Sequence, residues 1–188
     1  IDAWWPYVEQ GVEAIIMNAS GCGVMVKDYG HVLAHDAQYA EKAEKISALT
    51  KDISELLPEL VTALKPKINA QAMEQVGKQA FHPPCTLQHG QQLKGGVEKH
   101  LGDLGFDVQV ANNEAHLCCG SAGTYSVLNP DIAYTLRDRK LGNLGAVQPK
   151  AILSANVGCI THLQSGTDIP VKHWVELLDA VLDPSLPT

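Results

Sequence analysis

Every cysteine in this chain stands beyond a short apolar run of strand character. Ala14–Met17 leads to Cys22, Lys78–His82 to Cys85, and Ala151–Ala155 to Cys159. Phe106–Val110 leads, across a longer loop, to Cys118 and Cys119. Between these runs lie amphipathic stretches. Apolar residues recur every three or four positions from Asp36 to Leu60, which predicts one long helix with Asp36 as its cap. Leu87–Leu104 predicts a second, weakened by Gly95–Gly96 and closed by Gly105. Asn129–Pro130 opens a third, ended by Gly145, and His173–Leu182 predicts a last one. A β–α–β–α–β order implies a mainly parallel sheet with helices over it, an α/β fold. Ligands of such sheets sit beyond the carboxyl ends of the strands. The thiols are therefore expected together at that one edge.

A short internal repeat points the same way. The nine residues Ala14 to Cys22 align without gaps on Ala151 to Cys159; each is an apolar strand, a polar turn and Gly-Cys. The expectation is one whole unit over 71–188, preceded in 1–70 by the tail of a similar unit. With no initiator Met, the chain reads as a piece of a longer protein, and Cys22 as a remnant of the first unit's site.

The whole unit carries Cys85-x32-Cys118-Cys119-Gly120-x38-Cys159-x2-His162. Thiolates suit iron–sulfur clusters, Zn²⁺ and Cu(I), not Mg²⁺ or Ca²⁺. Adjacent cysteines point opposite ways in an extended chain. Gly120 would let the backbone bend so that both face one centre. Four readings stay open on the residues alone: an iron–sulfur cluster, a structural zinc site of Cys3His or Cys2His2 type, thiol–disulfide chemistry at Cys118–Cys119, and buried structural cysteines. His82, His89 and His116 flank the thiols; as polar residues at element ends they need no function, and as functional groups they would tune a metal group or relay protons. Backbone N–H groups at Ser121, Gly123 and Thr124 could cradle an anionic centre.

Bulk properties narrow the class. The 188 residues carry 14 basic and 21 acidic side chains, net −7, with 45% hydrophobic content. No basic stripe is present, which argues against nucleic acid and anionic membranes as partners. No apolar run reaches the length of a membrane span. The odd cysteine count in a chain of this size argues for a reducing compartment. There is no Walker loop, GxGxxG, paired carboxylate or Ser–His–Asp order, so hydride chemistry by this chain alone is not expected.

The cysteine pattern resembles the cysteine-rich CCG domain, which occurs in heterodisulfide reductases, lactate-utilisation iron–sulfur proteins and glycolate oxidase iron–sulfur subunits. The segments Ile1 to Tyr7, Ala19 to Gly23, Cys85 to His89, His116 to Tyr125 and Thr161 to Leu163 are similar to the last of these across nearly the whole chain. The resemblance implies a Rossmann-like unit and a [4Fe–4S] cluster on Cys85, Cys118, Cys119 and Cys159. His162 would be a ligand or close neighbour, since some relatives carry Cys there; the matching first-copy position is Met25. It further implies electron transfer in glycolate oxidation, from a separate flavin subunit toward a quinone-type acceptor. The expected place is the cytoplasm, with peripheral membrane association through the complex.

Overall fold

The computed structural model describes residues 1–183; the last five residues of the expected second unit, 184–188, lie outside the described residues. Among the described residues six short strands are present: β1 Ile15–Met17, β2 Thr50–Asp52, β3 Gln79–His82, β4 Val108–Val110, β5 Ala151–Ser154 and β6 Val171–His173. The helices are α1 Trp5–Glu9, α2 Ser20–Lys27, α3 Tyr29–Val32, α4 Ala40–Leu49, α5 Leu57–Leu64, α6 Ala70–Val76, α7 Gly96–Asp103, α8 Tyr125–Leu128, α9 Pro130–Gly145, α10 Val157–Gln164 and α11 Trp174–Asp179. The fold is α/β with parallel sheets. β1 and β2 form one parallel pair, and the larger sheet runs β4-β3-β5-β6, parallel throughout.

Both faces of the larger sheet are covered, and the period of two shows why. Phe81 and Leu153 face one way, into a cluster with Leu57, Val97, Leu101, Trp174 and Leu178. Ala80 and Ile152 face the other, with Leu144, Val147, Leu163, Cys119 and Cys159. Each fully buried Leu, Ile or Phe side chain contributes about 1.5–3 kcal/mol. α5, α7 and α11 thus seal one face, α9 and α10 the other. Chain order reverses between β3 and β5: β4 lies on one side of β3 and β5 on the other. That reversal opens a crevice at the strand ends.

Three expected helices are shorter than their periodicity suggests. The stretch 36–60 is interrupted at Thr50–Asp52, which pairs with β1 as a strand. Asp52 is buried, and its carboxylate accepts from Ser54 N at 3.0 Å while Glu55 reaches back to Asp52 N at 2.7 Å. This capping box starts a new helical turn, so the apolar period resumes after a break. Asp36 does accept from Gln38 N and Tyr39 N, but in a turn before α4. The stretch 87–104 divides too. Thr86–Gly90 winds as a π turn, and Gly95, at φ +74°, ends the loop before α7. The last helix loses its first residue to β6; His173 caps α11, with Nδ1 accepting from Val175 N at 3.2 Å. No helix among the described residues is long and apolar enough to cross a membrane.

The two sheets meet through the repeated motif. Ser20 N donates to Ala155 O at 2.9 Å, and Gly21 N to Asn156 Oδ1 at 3.2 Å. Ser20 Oγ lies 2.8 Å from Thr86 Oγ1. The first copy's turn therefore packs against the second copy's turn, beside Cys85.

Candidate metal centre

Four thiols converge at the crevice, delivered by three segments. Cys85 follows β3 after Pro83–Pro84, and the π turn behind it returns the chain over the sheet edge. Cys159 lies in the first turn of α10, three residues after Asn156, which precedes the helix. Cys118 and Cys119 sit in the loop after β4. Gly120, at φ +93°, makes the bend that lets both face inward.

The thiols form a continuous run: Cys85 neighbours Cys118, Cys118 neighbours Cys119, and Cys119 neighbours Cys159 within hydrogen-bonding reach. Their ionisation is split. Thiols of Cys119 and Cys85, with Gly120 N at 3.3 Å, hold Cys118 well below the usual thiol range. The Cys119 thiol lowers Cys159 to about 5, helped by neighbouring His82 and by Asn156 Nδ2 at 3.5 Å. Cys85 is pushed up by sharing its proton with Cys118 and by burial. Cys119 is pushed up by both its thiol neighbours and by burial. From Cys85 to Cys159 the run thus alternates: Cys85 and Cys119 are held toward the thiol, Cys118 and Cys159 toward the thiolate. Deprotonating all four would crowd four negative charges into one cleft, and a bound cation relieves that crowding.

Lys140 of α9 is 1% exposed and donates to Glu114 O at 2.6 Å and Ala115 O at 3.3 Å. Burial lowers its pKa, and its electrostatic interactions with Cys85, Cys119, Glu114 and Cys118 oppose that shift. It is a buried cation beside an anionic cleft, and it pins the loop that leads to Cys118.

His82 ends β3 on the same face as Ala80. It is fully buried, and neither ring nitrogen has a hydrogen-bond partner. Its ring, Cys119 Sγ and Cys159 Sγ place their donor atoms within 4.8 Å of one another. The thiolate set and this orphaned imidazole fit a soft metal group. Sequence reasoning sets two readings of His82 side by side, a polar residue at a strand end or a group that tunes a metal or relays protons. Its signal was the position, the last residue of a strand three before Cys85.

The other candidates sit elsewhere. His162 is on α10, where Nε2–H donates to Ala133 O at 3.2 Å and the ring stacks on Tyr134 with centroids 5.9 Å apart. The structure does not bring it into the group with Cys119 and Cys159. Cys22 is exposed on α2. His89 and His116 are exposed and meet each other, His89 Nε2 lying 3.4 Å from His116 O.

The family described as the cysteine-rich domain, CCG, matches residues 79–164. The chain is 48% identical over 183 residues to the glycolate oxidase iron-sulfur subunit of Escherichia coli (strain K12), covering 97% of this chain and 43% of that protein. It is 27% identical over 157 residues to a Bacillus subtilis (strain 168) protein named a probable glycolate oxidase iron-sulfur subunit, covering 84% of this chain and 34% of the relative. Lactate utilization protein A of Geobacillus kaustophilus (strain HTA426) is 23% identical over 171 residues, covering 88% of this chain and 70% of the relative. The chain thus spans less than half the length of the first two relatives.

Proposed function

Residues 79–164 match the family described as the cysteine-rich domain, and from that premise we propose that this chain holds an iron–sulfur cluster on Cys85, Cys118, Cys119 and Cys159. The reading is an electron-transfer part of a glycolate-oxidising complex. A separate flavin subunit would take the hydride, and electrons would pass on toward a quinone-type acceptor, with the chain peripheral on the cytoplasmic side of the membrane. The observation that carries the metal part is the run of four neighbouring thiols, in which Cys119 and Cys159 place their sulfurs within 4.8 Å of each other and of a His82 ring nitrogen. The glycolate part rests on the similarity to the Escherichia coli subunit.

The chain's own residues would do the holding. Cys85, Cys118, Cys119 and Cys159 supply four thiolates, the usual complement of a [4Fe–4S] cluster. Gly120 N–H donates to Cys118 Sγ and Asn156 Nδ2–H to Cys159 Sγ, and hydrogen bonds of this kind to sulfur raise the potential. A cluster bound there supplies reversible one-electron carriage. Lys140 would balance part of its negative charge. The division into a tail unit over 1–70 and a whole unit from 71 belongs to the same proposal. Two separate parallel sheets support it, although Ile53, Leu57, Val61 and Ile68 pack into the second sheet's core.

A structural zinc site is the second reading. The group His82, Cys119 and Cys159 within 4.8 Å favours it, because three such donors and one more thiol suit a tetrahedral ion. Iron, sulfide and zinc measured per chain in protein purified without oxygen separate the two. Brown protein with iron, sulfide and a reducible visible spectrum is expected. Cys119→Ser should abolish that spectrum, because Cys119 joins Cys118 to Cys159. Colourless protein with one zinc per chain after iron reconstitution overturns the iron–sulfur reading.

A further inference from the structure

His82 is in an unusual position for a histidine. It is fully buried, yet Nδ1 and Nε2 both lack a partner. Buried polar groups in folded proteins are nearly always bonded, because an imidazole stripped of water without compensation is costly. The ring has no easy escape. β3 pairs His82 with Ser154 of β5, and Ser154 Oγ donates to His82 O at 3.2 Å. Backbone pairing on the inner strand of the sheet thus fixes the residue while its ring faces the thiols. The donor atoms of His82, Cys119 and Cys159 all lie within 4.8 Å.

The contrast with His162 sharpens this. His162 already has a carbonyl partner at Ala133 and an aromatic one at Tyr134. Its nitrogen is satisfied by the protein, while both of His82's are not.

We propose that His82 is a metal ligand, an imidazole nitrogen binding the same iron–sulfur group as Cys119 and Cys159. This rests on the iron–sulfur reading above. A neutral imidazole replaces a charge that a further thiolate would bring, so the group carries less negative charge and a higher potential than an all-thiolate one. With His82 the chain offers five donors where four thiolates already fill a [4Fe–4S] cluster, so one iron takes two of them: His82 ends β3 and Cys85 follows it, Cys159 comes from α10 after β5, and the Cys118–Cys119 pair from the loop after β4.

The test uses the wild-type chain, purified without oxygen, with ¹⁵N-labelled histidine and the paramagnetic state reached with dithionite. Pulsed electron paramagnetic resonance should show a strongly coupled, directly bound histidine nitrogen. The coupling should vanish in His82→Gln and persist in His162→Gln. His82→Cys should retain iron and sulfide and shift the potential downward. A wild-type chain that holds iron and sulfide but shows no bound histidine nitrogen overturns the proposal. So does a coupling that survives in His82→Gln. Iron and sulfide analysis of the wild type tests the underlying reading separately: absence of both overturns that reading and the ligand assignment with it.

Discussion

Gly120 lies against the backbone of Ala133 in α9: a Cβ added at Gly120 would overlap the Ala133 carbonyl oxygen and stand 3.0 Å from its carbon. Gly120 also has φ +93°, a conformation that L side chains rarely adopt. Two independent penalties therefore meet at the residue after the cysteine pair. Gly120→Ala should cost roughly 3 kcal/mol of stability. It should also push the Cys118–Cys119 loop off α9. The expected result is a lowered thermal midpoint and a loss of metal per chain. A variant that loads metal like the wild type would show that the loop tolerates the shift.

Lys140 supports the same loop from the opposite end. Its ammonium bonds Glu114 O and Ala115 O, and its charge acts on Cys85, Cys119 and Cys118. Lys140→Met preserves most of the buried volume but leaves both carbonyls without this donor. The expected loss is about 1–3 kcal/mol. Removing a buried positive charge also disfavours adding an electron nearby, so the reduction potential should fall. Redox titration of Lys140→Met against wild type reads the second effect separately from stability. An unchanged potential would reduce Lys140 to a loop anchor.

Much of this site is legible in the residues. Strand-like runs before Cys85 and Cys159 sit at β3 and β5, and the parallel order that they imply brings their far ends together. What escapes is short or long-range. β2 and β6 have three residues each, too few for a period of two to stand out beside helices. The helical period on either side of Thr50–Asp52 runs on without a phase break, so the interruption is set by pairing with β1, far away in sequence. The state of His82 depends on where β5 and the cysteine loop fall in space. No local pattern distinguishes a bonded histidine from an orphaned one. Lys140 is likewise one of several basic residues along α9, and only the packing of α9 on the 114–115 loop marks it.

The joint between the two sheets depends on Gln91. Its Nε2 donates to Ser20 O and to Asp52 Oδ2, both at 3.1 Å, linking α2, β2 and the end of the π turn. Asp52 is 1% exposed, so its outer oxygen has little water to replace the amide. Gln91→Ala should cost about 1–3 kcal/mol. Hydrogen exchange should rise first at β1–β2 and at residues 86–90, with the β3–β5 pairing unaffected. Wild-type protection in the variant would show that the Ser20–Ala155, Gly21–Asn156 and Ser20–Thr86 bonds hold the joint without Gln91.

Glu114 adds a pH-dependent hold on the cysteine loop. It stands at φ +52°, and α9 grips its carboxylate through Arg139 Nε at 2.8 Å and Asn143 Nδ2 at 3.0 Å. The Arg139 bond, then the Asn143 bond, hold its carboxyl below the usual carboxylate range. A group whose folded pKa is depressed stabilises the fold above its unfolded pKa, about 4.3 for Glu. That contribution is lost as pH falls through the depressed folded value. The pair lies at the surface, so salt and solvent screen it and the effect is small. Thermal midpoints of wild type and Glu114→Gln should differ by roughly 1–3 °C at pH 7. The gap should close as pH drops below 4 and shrink in high salt, because acid cancels in the wild type the charge that the variant already lacks. A gap that stays constant from pH 7 to pH 3 would mean that Glu114 acts through its shape and its hydrogen bonds alone, without its charge.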